Sequence, residues 1–413
     1  MTATAPQVQT RVGARYVGGL AVSGLGMWMA LYTPVQVLLA QQLATIDPAG
    51  KESALGLVTG LGALVALVVS PVAGALSDHT RSRFGPRRPW VAGGAVAAAA
   101  GLLFLFGQST VAGVALGWAV VQGALAAMLA GLVAEVPDRV PVEQRGVVSA
   151  WLGATQPVAT LAGTALVTML LQGGAGYAAL AVVLLLATVP FLLVSGRDAP
   201  VAETRFRWGG FLRSLLVNPR RHPDFGYAWL TRLLFQLGNA TSTVFLLYFL
   251  RDQIHYERLF PGRRAEQGLL LLILIYSAGI VLSAFVGGWV SDRLGRRKVV
   301  VSIAGVTIAS GSVLLMLWPT WQLTVVSACL LGLGYGAYVS VDQALITQVL
   351  PDATARGKDL GVINIANALS HVLGPTVAAV LVTSLGGYPA LFGFSAAMAL
   401  LGALLVRRIK SVA

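Results

Sequence analysis

Charge is scarce in this 413-residue chain: 11% of the residues are charged, 56% are hydrophobic, and histidine occurs four times. A soluble domain of this length could not hide so much apolar surface in one core, so the solvent for most of the chain is lipid. Cysteine is scarcer still. Cys329 is alone and sits in an apolar run, which excludes a disulfide framework and a thiolate metal site. There is no H-E-x-x-H, no cluster of His and carboxylate ligands and no nucleophile elbow. The chain is therefore expected to be no enzyme and to need no cofactor or metal. Against 16 acidic residues stand 29 Lys and Arg, a net charge of +13 that in a soluble protein would suggest nucleic acid. Its distribution points to a membrane instead, and no nucleic-acid partner is expected.

What the chain has in quantity is apolar runs. Polar punctuation divides them into twelve, near 16–43, 54–76, 89–107, 111–135, 146–171, 176–194, 223–250, 266–290, 298–318, 321–349, 359–384 and 387–406. A helix needs about 20 residues to cross a bilayer. The connections Gln108-Ser109-Thr110, Gly173-Gly174, Pro319-Thr320 and Gly386-Gly387 are so short that the helices they join must be antiparallel neighbours. Twelve crossings place both termini on one side, and 23 of the 29 basic residues fall in segments on that side. The positive-inside rule makes that side cytoplasmic and the protein a multi-pass component of the cell inner (plasma) membrane. The first run is too long for a signal-peptide core and is read as a retained helix.

The expected fold is an all-α membrane protein with twelve transmembrane helices in two six-helix bundles. Residues 1–194 form the first and residues 223–413 the second. A basic, Pro-containing cytoplasmic linker, residues 195–222, joins them, either as a tether or with a short amphipathic helix around Phe206-Arg207-Trp208 and Phe211 to Leu216. A monomer is expected.

The halves carry a repeated message. Gly74-Ala75-Leu76-Ser77-Asp78 leads to Phe84-Gly85-Pro86-Arg87-Arg88, and Gly288-Trp289-Val290-Ser291-Asp292 leads to Leu294-Gly295-Arg296-Arg297. The two aspartates are 214 residues apart, and so are the pairs Pro137-Asp138 and Pro351-Asp352. That is an internal duplication, as in many secondary transporters. The repeated S-D…G-x-R-R loops resemble the signature of the major facilitator superfamily. The resemblance implies a transporter whose halves rock about a central cavity, with small-molecule substrate, protons and the lipid bilayer as partners. It also implies a gate. Gly74 and Gly288 would allow close helix packing, and Asp78 and Asp292 would meet a helix amino terminus or an arginine across the seam between halves. Arg83, Gly85, Arg87, Arg88, Arg145, Gly295, Arg296 and Arg356 complete the set.

The longer first loop, from Asp78 to Pro89, is similar to that of sucrose transporters and the glycoside-pentoside-hexuronide:cation symporter branch. So is the run Ala134-Glu135-Val136-Pro137-Asp138 to Arg145-Gly146. The run 54–76 departs from that branch in holding no carboxylate before Asp78. A sodium site of the branch's type, which needs several oxygen ligands, is therefore not expected. Proton coupling and simple facilitation both remain.

Ionisable groups within a span are functional candidates by default. Arg232 lies about nine residues into the seventh run and Asp342 about eight from the inner end of the tenth, depths of roughly 13 and 12 Å at 1.5 Å per residue. Equal depth and opposite charge suit a buried pair, either coupling or static. His371 near mid-depth and Glu135 at an inner helix end are further coupling candidates. For the solute, Trp28, Tyr32 and Gln36 form an i, i+4, i+8 stripe, and Trp118 and Gln122 share that spacing. Gln156, Gln236, Asn239, Tyr335, Tyr338, Asn364 and Asn367 are the remaining candidates. The resemblance makes the first, fourth, seventh and tenth helices cavity-lining. Amides beside aromatic faces suit a polyhydroxylated ring, and equally an interhelical hydrogen bond. The reading is transport of a sugar, glycoside or similar small polar solute, with export of drugs or amphipathic metabolites as the alternative.

Overall fold

A computed structural model describes residues 11–171, 174–195, 223–294, 296–349 and 356–410. Apart from Ser195 the expected linker lies outside the described residues, as do Gly295 and Pro351-Asp352 and the side chains of Asp292, Arg356 and Asn364.

Among the described residues twelve helical rods follow one another: α1 (Ala14–Ile46), α2 (Lys51–Asp78), α3 (Arg88–Phe106), α4 (Val111–Arg139), α5 (Val142–Ala165, continued through Leu166–Leu170), α6 (Ala175–Val194), α7 (Pro223–Val244, continued by Leu246–Asp252), α8 (Ala265–Leu294), α9 (Arg297–Leu317), α10 (Trp321–Val349), α11 (Arg356–Ser384) and α12 (Gly387–Leu405). Ten contain a stretch long and apolar enough to cross a membrane, and α7 with its bent continuation makes an eleventh. The remaining rod, α5, is diluted by polar residues such as Gln144, Arg145, Thr155, Gln156 and Thr160.

Several rods run past the expected ends, α4 to Arg139 rather than 135 and α8 to Leu294 rather than 290. Hydropathy stops at the first charge, whereas the backbone goes on bonding to itself through the charged residues that follow. α7 bends by 42° before Leu246. Just before the bend Thr241, Ser242 and Thr243 turn their hydroxyls back onto Leu237 O and Asn239 O at 2.7–3.1 Å. Such back-bonding competes with the helical ladder and bends it. In α1 the turn Pro34–Leu38 is wound as π-helix, beginning at a residue with no N–H to give.

The duplication is visible in the packing. The pairs α1·α5, α1·α6, α2·α4, α3·α4 and α3·α6 recur as α7·α11, α7·α12, α8·α10, α9·α10 and α9·α12. Between the two groups of six, α2 packs on α11 and α5 on α8. Glycine permits the close approach of α2 to α11: a Cβ at Gly56 would stand 2.5 Å from Ala379 Cβ and 3.0 Å from Pro375 O.

The rods end on two faces. The terminal face holds Ala14, Arg408 and the 79–87 loop, and the far face holds the loops at 47–50 and 253–264.

Candidate functional site

Two turns into α7, Arg232 is 5% exposed and Asp342 of α10 is 7% exposed, and their nearest charged atoms are 3.2 Å apart. Neither ion could stay buried alone. Each member of the pair has a further partner. Arg232 Nε donates to Asn367 Oδ1 of α11 at 2.8 Å, and the Tyr338 hydroxyl donates to Asp342 Oδ1 at 3.0 Å. The same Asn367 oxygen accepts from Gln236 Nε2 at 3.1 Å, and Gln236 Oε1 accepts from the Tyr335 hydroxyl at 2.6 Å. Tyr276 of α8, which sequence reasoning missed, donates to Asn239 Oδ1 at 2.8 Å and stacks near Tyr335 with centroids 6.3 Å apart. Helical spacing assembles the network: residues 232, 236 and 239 share one stripe of α7, and 335, 338 and 342 one stripe of α10. Tyr276 carried no signal beyond an apolar run.

In the first six rods, Trp28 and Tyr32 stack at 5.6 Å on α1, and Gln156 Nε2 of α5 donates to the Tyr32 hydroxyl at 2.8 Å. Gln36 lies in the π-wound turn, and its buried Oε1 has no partner among the described residues. Tyr32 lies near enough to Tyr335 and Tyr276 to interact with both through space. His371 is exposed one turn beyond Asn367 on the same side of α11.

Two expected solute contacts are placed differently. Trp118 is fully buried, its ring packed where a Gly62 Cβ would stand 2.5 Å from Cδ1. It fills the seam between α2 and α4, with half-buried Gln122 one turn along. Tyr338 is 1% exposed, stacked on Phe235 at 4.3 Å, with its hydroxyl committed to Asp342. Both lost to packing because a large ring gains most where it is fully enclosed.

The repeated loop also differs from expectation. Asp78 pairs with Arg87 of its own loop at 2.6 Å, not across the seam, and Arg87 Nε donates to Asp138 Oδ2 at 2.8 Å while Nη1 reaches Ser77 Oγ. Burial works against the Arg87 charge, and its bonds to Asp138 and Asp78 outweigh that and raise its pKa above the ordinary arginine value. Asp138, which the sequence marked only as part of the repeat and of the branch-like run, is thus the second anchor of Arg87. Gly85 turns the loop at φ 90°, a conformation that favours glycine. Gly74 and Gly288 mark no close approach here: a Cβ at Gly74 would meet nothing within 4 Å, and at Gly288 only Ser340 Cβ at 4.0 Å. Arg145 donates to Val140 O and Pro137 O at 2.9 and 2.8 Å, capping α4, while Glu135 holds Arg139 at 2.9 Å and Ser195 Oγ at 2.5 Å. Arg83 is exposed and lies over Phe84, Arg88 opens α3 half-buried, and Arg296 is exposed at the start of α9.

The physical reason is where the halves touch. Among the described residues, the polar bonds between them cluster at the far face. Lys51 Nζ meets Asp252 at 2.6 Å, Gln41 Nε2 donates to Glu266 Oε1 at 2.6 Å, Arg264 Nη2 donates to Thr168 O at 2.7 Å, and the Tyr248 hydroxyl donates to Ala40 O at 2.8 Å. Buried Glu266 also holds Arg251. With the far face joined, the loop residues at the terminal face find partners within their own half. Among the described residues no three His, Cys, Asp or Glu side chains gather as a metal site.

The family described as Major Facilitator Superfamily matches residues 16–262 and 228–412. An uncharacterized MFS-type transporter of Bacillus subtilis (strain 168), YfiU, is 31% identical over 120 residues, which are 29% of this chain and 23% of that protein, so the match spans about a quarter of the relative's length. Among solved structures, the peptide transporter POT in complex with sulfate superposes with a TM-score of 0.76 at 14% identity, over 97% of this chain and 96% of the other. The nucleoside transporter NupG gives 0.76 at 13%, over 96% and 99%. The human organic anion transporter MFSD10 gives 0.67 at 17%, over 95% and 99%. At these identities the likeness is one of fold.

Proposed function

Because this chain belongs to the Major Facilitator Superfamily, we propose that it carries a small neutral polar solute, of the sugar or glycoside class, across the membrane by alternating access. It is a multi-pass membrane transporter and not an enzyme. One observation carries the substrate class. Among the described residues the only ions in the network, Arg232 and Asp342, pair with each other, while the groups around them are amides and phenols: Asn367, Gln236, Asn239, Tyr335 and Tyr276. A charged solute would have to break the ion pair. A hydroxylated ring needs only to exchange hydrogen bonds with amides that both donate and accept, and to lie on the Trp28 and Tyr32 faces. The unpartnered Gln36 oxygen and exposed His371 suit added donors and acceptors on the solute. The glycoside branch is supported by the long 78–89 loop.

With the terminal face taken as cytoplasmic by its basic residues, the joined far face makes this the inward-facing state. The six rods before the linker and the six after it are then the moving bodies. Arg87, Asp78 and Asp138 brace one loop, and Gly74 and Gly288 are left clear for the contacts of the opposite state. Asp342 is the group that takes up a proton when transport is coupled; in a facilitator the pair is a static bridge.

The test is thermal stability of purified protein against sugars, glycosides, nucleosides, dipeptides and amphipathic drugs, followed by proteoliposome uptake with and without a pH gradient. A ligand that binds the folded state raises its apparent stability. Shifts with glycosides support the proposal. Shifts confined to drugs replace it with an exporter, and shifts confined to nucleosides or dipeptides remove the sugar class.

A further inference from the structure

We propose that the terminal-face end of the α9–α12 seam is a binding site for one anionic phospholipid, its phosphate held by Lys298 and Arg407 and its acyl chain laid along α9. An open groove of about 490 Å³ lies there, lined by Lys298, Val299, Ser302, Ile303, Val306, Thr307 and Arg407. It follows from the packing. α9 and α12 meet closely at Gly305, where a Cβ would stand 2.7 Å from Ala403 Cβ and 2.9 Å from Ala399 O. Ser302 Oγ donates to Ala403 O at 3.2 Å beside that point. The helices are thus pinned at their backbones, and the side chains on the outer edge leave a trough.

The trough is divided by chemistry. Its wall is apolar and turned outward, with Val299, Ile303 and Val306 exposed by 44%, 62% and 52%. Residues 298 to 307 extend about 14 Å along the axis, half of a hydrocarbon core and so close to one leaflet. Its mouth is cationic. Lys298 Nζ donates to Ile409 O at 2.8 Å, and Arg407 Nε points to Ser302 Oγ at 3.5 Å. These contacts fix both heads at the mouth, yet use one ammonium hydrogen and one guanidinium N–H. The other donors suit phosphate oxygens, for which a guanidinium presents a planar fork. Arg296 and Arg408, also exposed, stand in the adjoining turns. At the same end, the Asp224 carboxylate accepts the Lys410 backbone N–H at 3.1 Å. A cationic mouth above an apolar trough at the end of a membrane span matches a headgroup above its own chain. Free phosphate would use only the mouth. The proposal rests on the chain's place in a bilayer and not on the identity of the solute.

The full-length protein in neutral detergent is titrated with phosphatidylglycerol, phosphatidylcholine or inorganic phosphate, and bound lipid is counted by native mass spectrometry. The wild-type protein is expected to hold one phosphatidylglycerol in preference to phosphatidylcholine, and the double variant Lys298→Gln/Arg407→Gln to bind it about 25-fold more weakly. That follows from about 1 kcal/mol per basic residue near an anionic surface, at 1.4 kcal/mol per tenfold. Ile303→Ser, on the exposed wall, is expected to weaken phosphatidylglycerol alone. Arg81→Gln/Arg83→Gln, on the opposite half, should leave the bound lipid in place. Equal binding by wild type and double variant, equal binding of phosphatidylcholine, or full displacement by inorganic phosphate each overturns the proposal. Should the double variant fail to fold, Ile303→Ser decides it on the same terms.

Discussion

Replacing Asp342 by Asn leaves its shape and its bond from Tyr338 in place but removes the counter-ion of Arg232, which is 5% exposed and 3.2 Å away. A guanidinium cannot shed its proton, so the variant must bury an uncompensated cation. Removing one partner of a buried pair costs about 3–5 kcal/mol, lessened here by the 2.8 Å bond from Arg232 to Asn367, so the lower end is expected. Arg232→Gln should cost less, because a carboxyl left alone can bind a proton. The double variant Arg232→Gln/Asp342→Asn should recover about 1–3 kcal/mol of the summed single losses, since the two sites share one interaction. Thermal unfolding of the four proteins in the same detergent gives the cycle. Counterflow and gradient-driven uptake in proteoliposomes then separate coupling from structure. Asp342→Asn is expected to keep counterflow and lose accumulation driven by a pH gradient. Additive losses would show that the pair carries no interaction, and accumulation undiminished in Asp342→Asn would remove the coupling role.

Four further outcomes follow from the geometry. Gly56→Ala sets a methyl against Pro375 O and Ala379 Cβ; overpacking of about 1–3 kcal/mol against the far-closed state should lengthen spin-label distances between the far ends of α2 and α11, and unchanged distances refute it. Lys51→Asp should favour far-face opening by no more than about 1 kcal/mol, since the pair with Asp252 is partly exposed, and the swap Lys51→Asp/Asp252→Lys should restore the wild-type distances. Arg87→Gln leaves the mostly buried Asp138 without its cation, while half-exposed Asp78 is rehydrated, and should lower stability by about 1.5–3 kcal/mol, whereas Arg83→Gln on the exposed loop should stay within about 0.5 kcal/mol; equal effects would deny Arg87 its bracing role. Gln36→Leu removes a buried oxygen with no partner, so stability should hold or rise while solute affinity falls, and unaltered uptake kinetics would exclude Gln36 from the solute site.

Most spans and their order were legible because lipid forces every backbone group to pair within its own helix, so apolar length marks a crossing; in α5, diluted by polar residues, that mark is weak. Helix ends were less so: α4 and α8 run on through charged residues that hydropathy treats as loop. The duplication could be read from paired aspartates, yet its use could not. Asp78 turned to Arg87, and Asp138 proved to be the second anchor of that arginine.

Sequence by itself determined an all-helical membrane protein in two related halves, and the depth match of Arg232 and Asp342, since burial of a lone charge is too costly to be accidental. Only the tertiary structure decided which polar groups meet: that Tyr276 joins the network, that Trp118 is spent on the cleft over Gly62, and that Gly74 stands clear while Gly56 is in tight contact. The reason is physical. Hydrophobic patterning gives a helix its solvent but says little about its azimuth, and the face a side chain presents is settled by close packing against neighbours distant in sequence.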